Sequence, residues 1–272
     1  MSKIAFLDID GTIRAFDGTV PESAIKAIHQ ARKNGHQVCI SSGRPLDQIE
    51  KRIIDIGFDG IISGTGSYVV YEGKCIRHEY FPKALFLEMV DTFLKNQCVM
   101  DFQSYNRTCV LECQKDAFIK LGEDLQAMLG EGAAALAEPP DTEKCAENLD
   151  KVEKIIYFSD DFPLEEVRRR WGHGIYAVPV SFPNPRKWGG ELSPITVNKG
   201  EGIKSILKLS GHKVEDVVAV GDSDNDIEMI AMAGLGIAMG NGTSGVKAVA
   251  DAVTDTVEND GLYKAFQMAG MI

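Results

Sequence analysis

Two aspartates separated by a single residue, Asp8 and Asp10, come directly after the apolar run Ile4–Leu7 and before Gly11. The run has no polar alternation, which predicts a short strand buried on both faces. Side chains two residues apart on an extended chain project to the same side. At the carboxyl end of a parallel strand they face the crevice where open α/β sheets bind ligands. Two carboxylates this close repel each other, so the pair indicates a bound cation or a shared proton. On the pair alone, a solvated acidic turn is an equally good interpretation.

Three later segments also place polar side chains after apolar runs or at helix starts: Ser42-Gly43-Arg44, Lys199-Gly200, and the stretch from Gly221 to Asp226. Taken singly, each has an ordinary interpretation. Ser42 suits a helix cap, Lys199 a solvated lysine at a helix start, and the acidic stretch a capping cluster. The acidic spacing also fits a calcium loop, but Ile227 stands where that loop needs glycine and Ala233 where it needs glutamate, which excludes it.

The four segments together resemble, in order, the four motifs of the haloacid dehalogenase (HAD) superfamily. The stretch from Asp8 to Thr12 is similar to the first motif, Ser42 opens the second, Lys199 carries the third, and 221–226 has the GDxxND form of the fourth. The layout resembles the Cof-type branch, class IIB. This implies an α/β fold in which a Rossmann-like parallel-sheet core, with strand order 3-2-1-4-5, carries an inserted α/β cap domain. The implied core covers 1–82 and 188–272, and the implied cap, which selects the substrate, covers 83–187.

The resemblance also implies a role for each motif. Asp8 would attack phosphorus and Asp10 would act as general acid and base, with Ser42 and Lys199 completing the catalytic set. A Mg²⁺ site is implied by the oxygen atoms of four acidic residues: Asp8, Asp10 (through its backbone carbonyl), Asp222 and Asp226. The residues expected to contact phosphate or substrate are Gly11, Thr12, Gly43, Arg44 and Asn225.

Some finer expectations accompany these roles. Thr12 is expected to hydrogen-bond Asp10, and the Gly43 amide is expected at a helix N-terminus that receives phosphate. Asn225 is expected beside Lys199 or metal-bound water. The sequence departs from the Cof-type pattern at Thr65, where an asparagine that often faces the substrate is usual, and this puts a substrate contact at Thr65 in doubt.

The resemblance predicts a Mg²⁺-dependent phosphatase that acts on a small phosphorylated metabolite, such as a sugar phosphate, through an aspartyl-phosphate intermediate. Two alternatives stay open: a sugar phosphomutase of the same superfamily, and a non-catalytic regulatory protein that binds a phosphorylated metabolite. A dehalogenase is disfavoured, because Asp10 and the acidic fourth motif would have no use without a metal. Cap contacts to the substrate are expected from 105–107 and 184–186.

Hydrophobic periodicity predicts the elements that position these residues. Strands and helices alternate at both ends of the chain, which implies parallel strands with right-handed crossovers. The expected strands there lie at about 3–8, 37–41 and 60–63, in the run that ends at Gly221, and near 235–239 and 251–254. Helices are expected from Pro21 to just before Gly35, at about 45–56, after Lys199 and at 225–233. Residues 13–19 are expected to form a small hairpin or flap, and Tyr105-Asn106 a turn between two cap strands. Pro183, Pro185 and Gly189-Gly190 indicate a linker back to the core.

Composition excludes several protein classes. The chain has 272 residues, 44% of them hydrophobic, and a formal net charge of −11. That charge argues against nucleic-acid binding, which depends on a basic surface. The six cysteines form no CxxC pair, so we expect reduced thiols. No apolar stretch suits a signal peptide or a membrane span, so we expect a cytoplasmic monomer or homodimer whose partner is a small phosphorylated substrate.

Overall fold

The computed structural model describes residues 2–129, 141–180 and 184–272. The chain divides into two compact units: a first unit of Met1–His78 and Asn198–Ile272, and a second unit of Glu79–Val197 inserted within it. The sequence-based boundaries lay at 82/83 and 187/188. The assignment of the two parts as catalytic core and specificity cap stays a prediction.

The first unit contains one sheet of eight strands among the described residues. They are β1 (Ile4–Leu7), β2 (Gln37–Ser41), β3 (Gly60–Ser63), β4 (Tyr68–Tyr71), β5 (Lys74–His78), β12 (Val217–Gly221), β13 (Leu235–Ala238) and β14 (Ala252–Val253). Their spatial order is β14-β13-β12-β1-β2-β3-β4-β5, and the strands from β14 to β3 are parallel. The order β3-β2-β1-β12-β13 is the expected 3-2-1-4-5, so the fold class is confirmed.

Helices cover both faces of this sheet: α1 (Glu22–Lys33), α2 (Lys51–Ile54), α6 (Lys199–Ser210), α7 (Ile227–Met232), α8 (Ser244–Val249) and α9 (Gly261–Met268). On one face, Ala5 and Leu7 belong to an apolar cluster with residues of α1 and α9. On the other, Ile4 and Phe6 belong to a cluster with residues of α6 and α7. Burial on both sides explains why β1 has no polar alternation and why its carboxyl end opens at a crevice edge.

Two local predictions in the first unit need correction, and one feature of it was not predicted. The helix expected over 45–56 is a 3-10 turn (Leu46–Gln48) followed by α2, because Ile49 and Glu50 adopt extended backbone as Ile49 enters the core. Residues 13–19 form successive turns rather than a two-stranded hairpin. The antiparallel hairpin of β4 and β5 was not predicted, although its turn Glu72-Gly73 has the positive φ angles of a tight hairpin.

The second unit has its own six-stranded sheet among the described residues, ordered β10-β11-β9-β6-β7-β8. Its strands are β6 (Val99–Ser104), β7 (Arg107–Leu111), β8 (Asp141–Glu143), β9 (Lys154–Ser159), β10 (Ile175–Val178) and β11 (Trp188–Pro194), and its helices are α3 (Lys83–Lys95), α4 (Lys115–Leu129) and α5 (Leu164–Trp171). Phe93 on α3 stacks on Tyr157 of β9 with 4.9 Å between ring centroids and meets Trp171 edge-on. Tyr105-Asn106 is the turn between β6 and β7, as predicted.

The linker predicted from Gly189-Gly190 is wrong, because both glycines lie within β11 and pair with Phe158 and Tyr157 of β9. The glycines' lack of a side chain allows neighbouring side chains to pack closely against the strand. A Cβ on residue 190 would lie 2.7 Å from Leu164 Cδ1 and 2.8 Å from the Tyr157 ring. Pro183 lies outside the described residues. Across 2–129, 141–180 and 184–272, no helix is both long and apolar enough to cross a membrane.

Candidate active site

The polar ends of β1 and β12 meet at one edge of the first unit's sheet. The two strands are parallel neighbours, with Leu7 paired to Val220, and the Asp8 amide donates to the Val220 carbonyl at 3.0 Å. Asp8 and Asp222, each the first residue after its strand, therefore emerge side by side. This arrangement follows from the strand order that the family resemblance implied, and it places both carboxylates where open α/β sheets bind ligands.

Lys199 joins this edge from the start of α6. Its Nζ donates to Asp8 Oδ1 at 2.6 Å and to Asp226 Oδ1 at 2.5 Å, and its side chain is fully buried. The preceding residue, Asn198, caps the helix by accepting from the Glu201 amide, which fixes where α6 begins. A lysine at a helix start is usually solvated, whereas this one is the central cation of a buried acidic cluster.

Three carboxylates surround that single ammonium group. Asp8, Asp222 and Asp226 are all buried, and each offers an oxygen atom within 4.8 Å of those of the other two. Burial raises the pKa of Asp8 well above its ordinary value, against the lowering effect of Lys199. Burial, followed by the charge of Asp226, raises the pKa of Asp222 to about 7. Burial disfavours the charge of Lys199, but Asp226 and Asp8 outweigh it and raise the lysine pKa. With all three carboxylates ionised, the cluster would hold more negative charge than one lysine neutralises, and the raised pKa values of Asp8 and Asp222 reflect that cost.

The oxygen atoms of this cluster suit a hard divalent cation. Asp222 Oδ1 is buried and has no hydrogen-bond partner among the described residues. Asp226 is used differently: its Oδ1 accepts from Lys199, and its Oδ2 accepts from the amides of Asp222 and Ser223 at 3.0 Å. Asp8 and Asp222 are therefore better placed than Asp226 to supply metal ligands directly, while Asp226 fixes the loop and the lysine.

Gly11 makes the close approach between the first and fourth motifs possible. Its φ is +82°, and a Cβ at this position would lie 2.2 Å from Asp222 Oδ2. Thr12 is fully buried, but it does not bond Asp10 as predicted, and its hydroxyl has no partner among the described residues. Asp10 is held instead by Arg44, whose Nε and Nη2 donate to the two carboxylate oxygens at 2.7 and 2.9 Å.

The loop after β2 forms a further wall. Ser42 is buried, and its Oγ accepts from the Arg44 amide at 3.2 Å. Gly43 lies beside Asn225 and Thr65: a Cβ there would be 3.2 Å from Asn225 Nδ2 and 3.7 Å from Thr65 Oγ1. The helix expected to begin after Gly43 is only the 3-10 turn Leu46–Gln48, so the predicted helix N-terminus is absent from this described segment. The closeness of Asn225 Nδ2 to Gly43 shows that Asn225 faces the loop after β2.

Thr65 and Asn241 are two site residues for which sequence reasoning gave little or no role. Thr65 has φ +60°, a left-handed conformation that is strained for a β-branched residue and that places it beside Gly43. Asn241 donates to the Gly11 carbonyl at 2.9 Å and lies 3.4 Å from Asp222 Oδ2. Its position in the loop after β13 is a usable signal, because all parallel strands deliver their following loops to the same edge.

Comparison with known proteins agrees with this geometry. A profile of the haloacid dehalogenase-like hydrolases matches residues 5–266. The 5-amino-6-(5-phospho-D-ribitylamino)uracil phosphatase YcsE of Bacillus subtilis (strain 168) is 44% identical, over 97% of this chain and 94% of its own length.

Solved structures give the same picture. A phosphatase of this superfamily from Bacteroides thetaiotaomicron has a TM-score of 0.82 at 25% identity and covers all of this chain and 96% of its own. A sugar phosphatase of HAD subclass IIB has a TM-score of 0.81 at 25% identity, with full coverage of both chains.

Proposed function

Because the chain belongs to the haloacid dehalogenase-like hydrolase family and is an enzyme of its phosphatase type, we propose that it is a Mg²⁺-dependent phosphatase of small phosphorylated metabolites. One observation carries the proposal: the buried Lys199 ammonium between Asp8 and Asp226, with the unpartnered Asp222 oxygen beside them. The stability of the fold does not require three buried carboxylates beside one lysine. Phosphoryl transfer, in contrast, requires a nucleophile, a cationic side chain and a metal ion at one point.

In the proposed first step, an Asp8 carboxylate oxygen attacks phosphorus and the bond from phosphorus to the leaving oxygen breaks. Asp10 gives its proton to that oxygen. In the second step a water molecule, deprotonated by Asp10, attacks the phosphorus of the aspartyl phosphate. The bond from phosphorus to Asp8 breaks, which releases inorganic phosphate and restores the Asp8 carboxylate. Lys199 orients the Asp8 carboxylate by donating to Asp8 Oδ1, and its positive charge offsets the negative charge of the phosphoryl group in both steps.

Mg²⁺ would be held by Asp8, the Asp10 backbone carbonyl and Asp222, with Asp226 supporting them; when bound, it would offset the carboxylate repulsion and the phosphate charge. The remaining site residues other than Arg44 are proposed to contact the phosphoryl group or the substrate: Ser42, Gly43, Gly11, Thr12 and Asn225. For Ser42 and Gly43, burial beside Thr65 and Asn225 supports the proposal.

We assign substrate choice to the second unit. Its 105–107 turn carries Arg107, whose guanidinium lies 3.5 Å from both Asp141 and Glu143. In 184–186, the Arg186 guanidinium lies 3.4 Å from Asp160. The names of the relatives include a sugar phosphatase and a phosphatase of a ribityl phosphate. A phosphomonoester of a sugar or sugar alcohol is therefore the substrate class that we propose first.

A screen of phosphorylated metabolites with Mg²⁺, reading released phosphate, tests the proposal. We expect turnover of one or more sugar or sugar-alcohol phosphates, and none by Asp8→Asn. Product analysis with a hexose 1-phosphate separates the alternatives: an isomerised sugar phosphate would identify a mutase. Saturable binding of such compounds without phosphate release or isomerisation would identify a regulatory binding protein. Either result would overturn the phosphatase proposal.

A further inference from the structure

Arg44 makes its strongest contacts with the proposed acid–base group. Its Nε donates to Asp10 Oδ2 at 2.7 Å and its Nη2 to Asp10 Oδ1 at 2.9 Å, which is a bidentate fork between a planar guanidinium and a carboxylate. The third nitrogen, Nη1, donates to the Gln48 carbonyl at 3.2 Å. Each guanidinium nitrogen therefore has a protein acceptor, so three of the five N–H donors of Arg44 are engaged within the first unit.

The backbone of Arg44 is also fixed. Its amide donates to Ser42 Oγ at 3.2 Å, and its carbonyl accepts from the Gly64 amide at 2.8 Å. Arg44 is thus anchored at its main chain and at the tip of its side chain. An arginine held at both ends imposes its own orientation on the carboxylate that it pairs with.

Asp10 depends on such a partner more than Asp8 does. Its side chain is about one-third exposed, at 32%, whereas that of Asp8 is 7% exposed and held by Lys199. A partly exposed aspartate on a turn samples several rotamers when nothing restrains it. On the other side of Asp10, Arg14 lies 3.7 Å from its Oδ1 and itself pairs with Glu50 at 2.5 Å. The described contacts restrain the carboxylate chiefly through Arg44.

We infer that Arg44 is a positioning residue that acts through Asp10, instead of a substrate-binding residue. The inference rests on the proposed phosphatase function and deepens it. Proton transfer in both chemical steps requires the Asp10 carboxyl to lie within hydrogen-bond reach of the leaving oxygen or the water. A misplacement of about 1 Å can cost roughly a hundredfold in rate. The fork fixes the carboxyl in one place without occupying the phosphate site.

The test is Arg44→Lys, which keeps the charge and loses the bidentate geometry. We expect kcat on an alkyl phosphate, such as glycerol 1-phosphate, to fall roughly tenfold to a hundredfold, with little change in KM. The fall should be much smaller on p-nitrophenyl phosphate, whose leaving group needs little protonation. In an Asp10→Asn background, Arg44→Lys should have almost no further effect, because the group it positions is already lost.

Arg32→Lys is the matched control, because Arg32 also forms a fork with a carboxylate, Asp59, but on the surface of α1. It should keep wild-type kinetics. Arg44→Gln, checked by circular dichroism, serves as a second variant if the lysine variant does not fold. A rise in KM with unchanged kcat, or full additivity with Asp10→Asn, would overturn the positioning role. Absence of any phosphatase activity in the wild-type protein would instead overturn the proposed function.

Discussion

At the scale of single residues, Asp8 and Asp10 differ in what surrounds them. Asp8 is buried against a fully enclosed lysine, and Asp10 is partly exposed and held by an arginine fork. A buried carboxylate fixed by one ammonium group suits a nucleophile, since its position is set before the substrate arrives. A partly exposed carboxylate suits a proton carrier, since it must meet both a leaving group and water.

The first prediction separates these two roles. Asp8→Asn removes the attacking carboxylate, so turnover should fall to background. Asp10→Asn keeps the nucleophile, and on p-nitrophenyl phosphate the hydrolysis of the intermediate should become rate-limiting. Mass spectrometry of the rapidly quenched Asp10→Asn enzyme should therefore show a phosphoryl adduct on the peptide that contains Asp8. An adduct on another peptide, or undiminished turnover by Asp8→Asn, would contradict the covalent mechanism.

The second prediction concerns Asp101, a buried carboxylate of β6 in the second unit. Burial raises its pKa to about 7, and the Gln103 amide and Lys154 only partly oppose this. A raised folded-state pKa means that the stability of the wild type is greatest below the unfolded-state pKa and falls as the pH rises through about 7. Asp101→Asn lacks this penalty. Its stability relative to the wild type should therefore increase between pH 5 and pH 8, on the order of 2 kcal/mol.

Urea unfolding in chelator at several pH values measures this difference. Asp91→Asn is the control, because Asp91 is exposed on α3, and it should alter stability by no more than about 0.5 kcal/mol. A difference between the wild type and Asp101→Asn that stays constant from pH 5 to pH 8 would show that Asp101 does not titrate in this range.

At the scale of elements, the start of α6 is placed by the loop after β3. Gly66 has φ +105°, and a Cβ there would lie 2.3 Å from the carbonyl oxygen of Asn198, the residue that caps α6. This contact fixes the position of the start of α6, and hence of Lys199, relative to the carboxyl ends of the sheet strands. The loop and the helix lie more than a hundred residues apart in the sequence, but their contact makes them one structural support.

The third prediction compares two glycines of positive φ. Gly66→Ala should lower the free energy of unfolding by about 3 kcal/mol and reduce kcat, because both φ strain and a backbone clash must be relieved at α6. Gly35→Ala should cost only about 1–2 kcal/mol and leave kcat unchanged, because residue 35 has φ +87° with open space around it. Equal losses of stability and activity in the two variants would show that the contact with Asn198 does not position Lys199.

Prediction from sequence succeeded where one rule decides the outcome. The four motifs in order carry the family resemblance, and the resemblance implies the strand order, so the sheet order and the meeting of Asp8 with Asp222 could be predicted. It failed where packing decides between two uses of one residue type. Gly189-Gly190 signals a turn in isolation, but the Tyr157 and Leu164 side chains make it a strand. The fork on Asp10 depends on side-chain rotamers, for which one sequence carries no pattern.

At the scale of the whole molecule, the proposed metal site would couple metal binding to stability. The fourth prediction is that Mg²⁺ raises the melting temperature and is required for phosphate release. A ligand at a hundred times its Kd stabilises a protein by about 2.7 kcal/mol. Activity should vanish with EDTA and return with Mg²⁺, and Asp222→Asn should lose the thermal shift.

Asp224→Asn is the control for that experiment, because Asp224 lies in the same loop but is exposed and accepts from Thr243. It should keep the thermal shift. Full activity in chelator would refute the metal assignment. A thermal shift that survives Asp222→Asn would place the metal elsewhere.

The insertion of the second unit also has a consequence for how the protein is made. β1 is the central strand of the finished sheet, but one of its two partners, β12, is more than two hundred residues away along the chain. While the ribosome is still producing the second unit, β1 is an unpaired edge with apolar side chains, which is a site of risk for aggregation. The second unit is contiguous and can fold before Lys199 emerges. The acidic cluster can then assemble only once α6 and β12 have been synthesised, so a chain interrupted before them carries Asp8 without Lys199, Asp222 and Asp226.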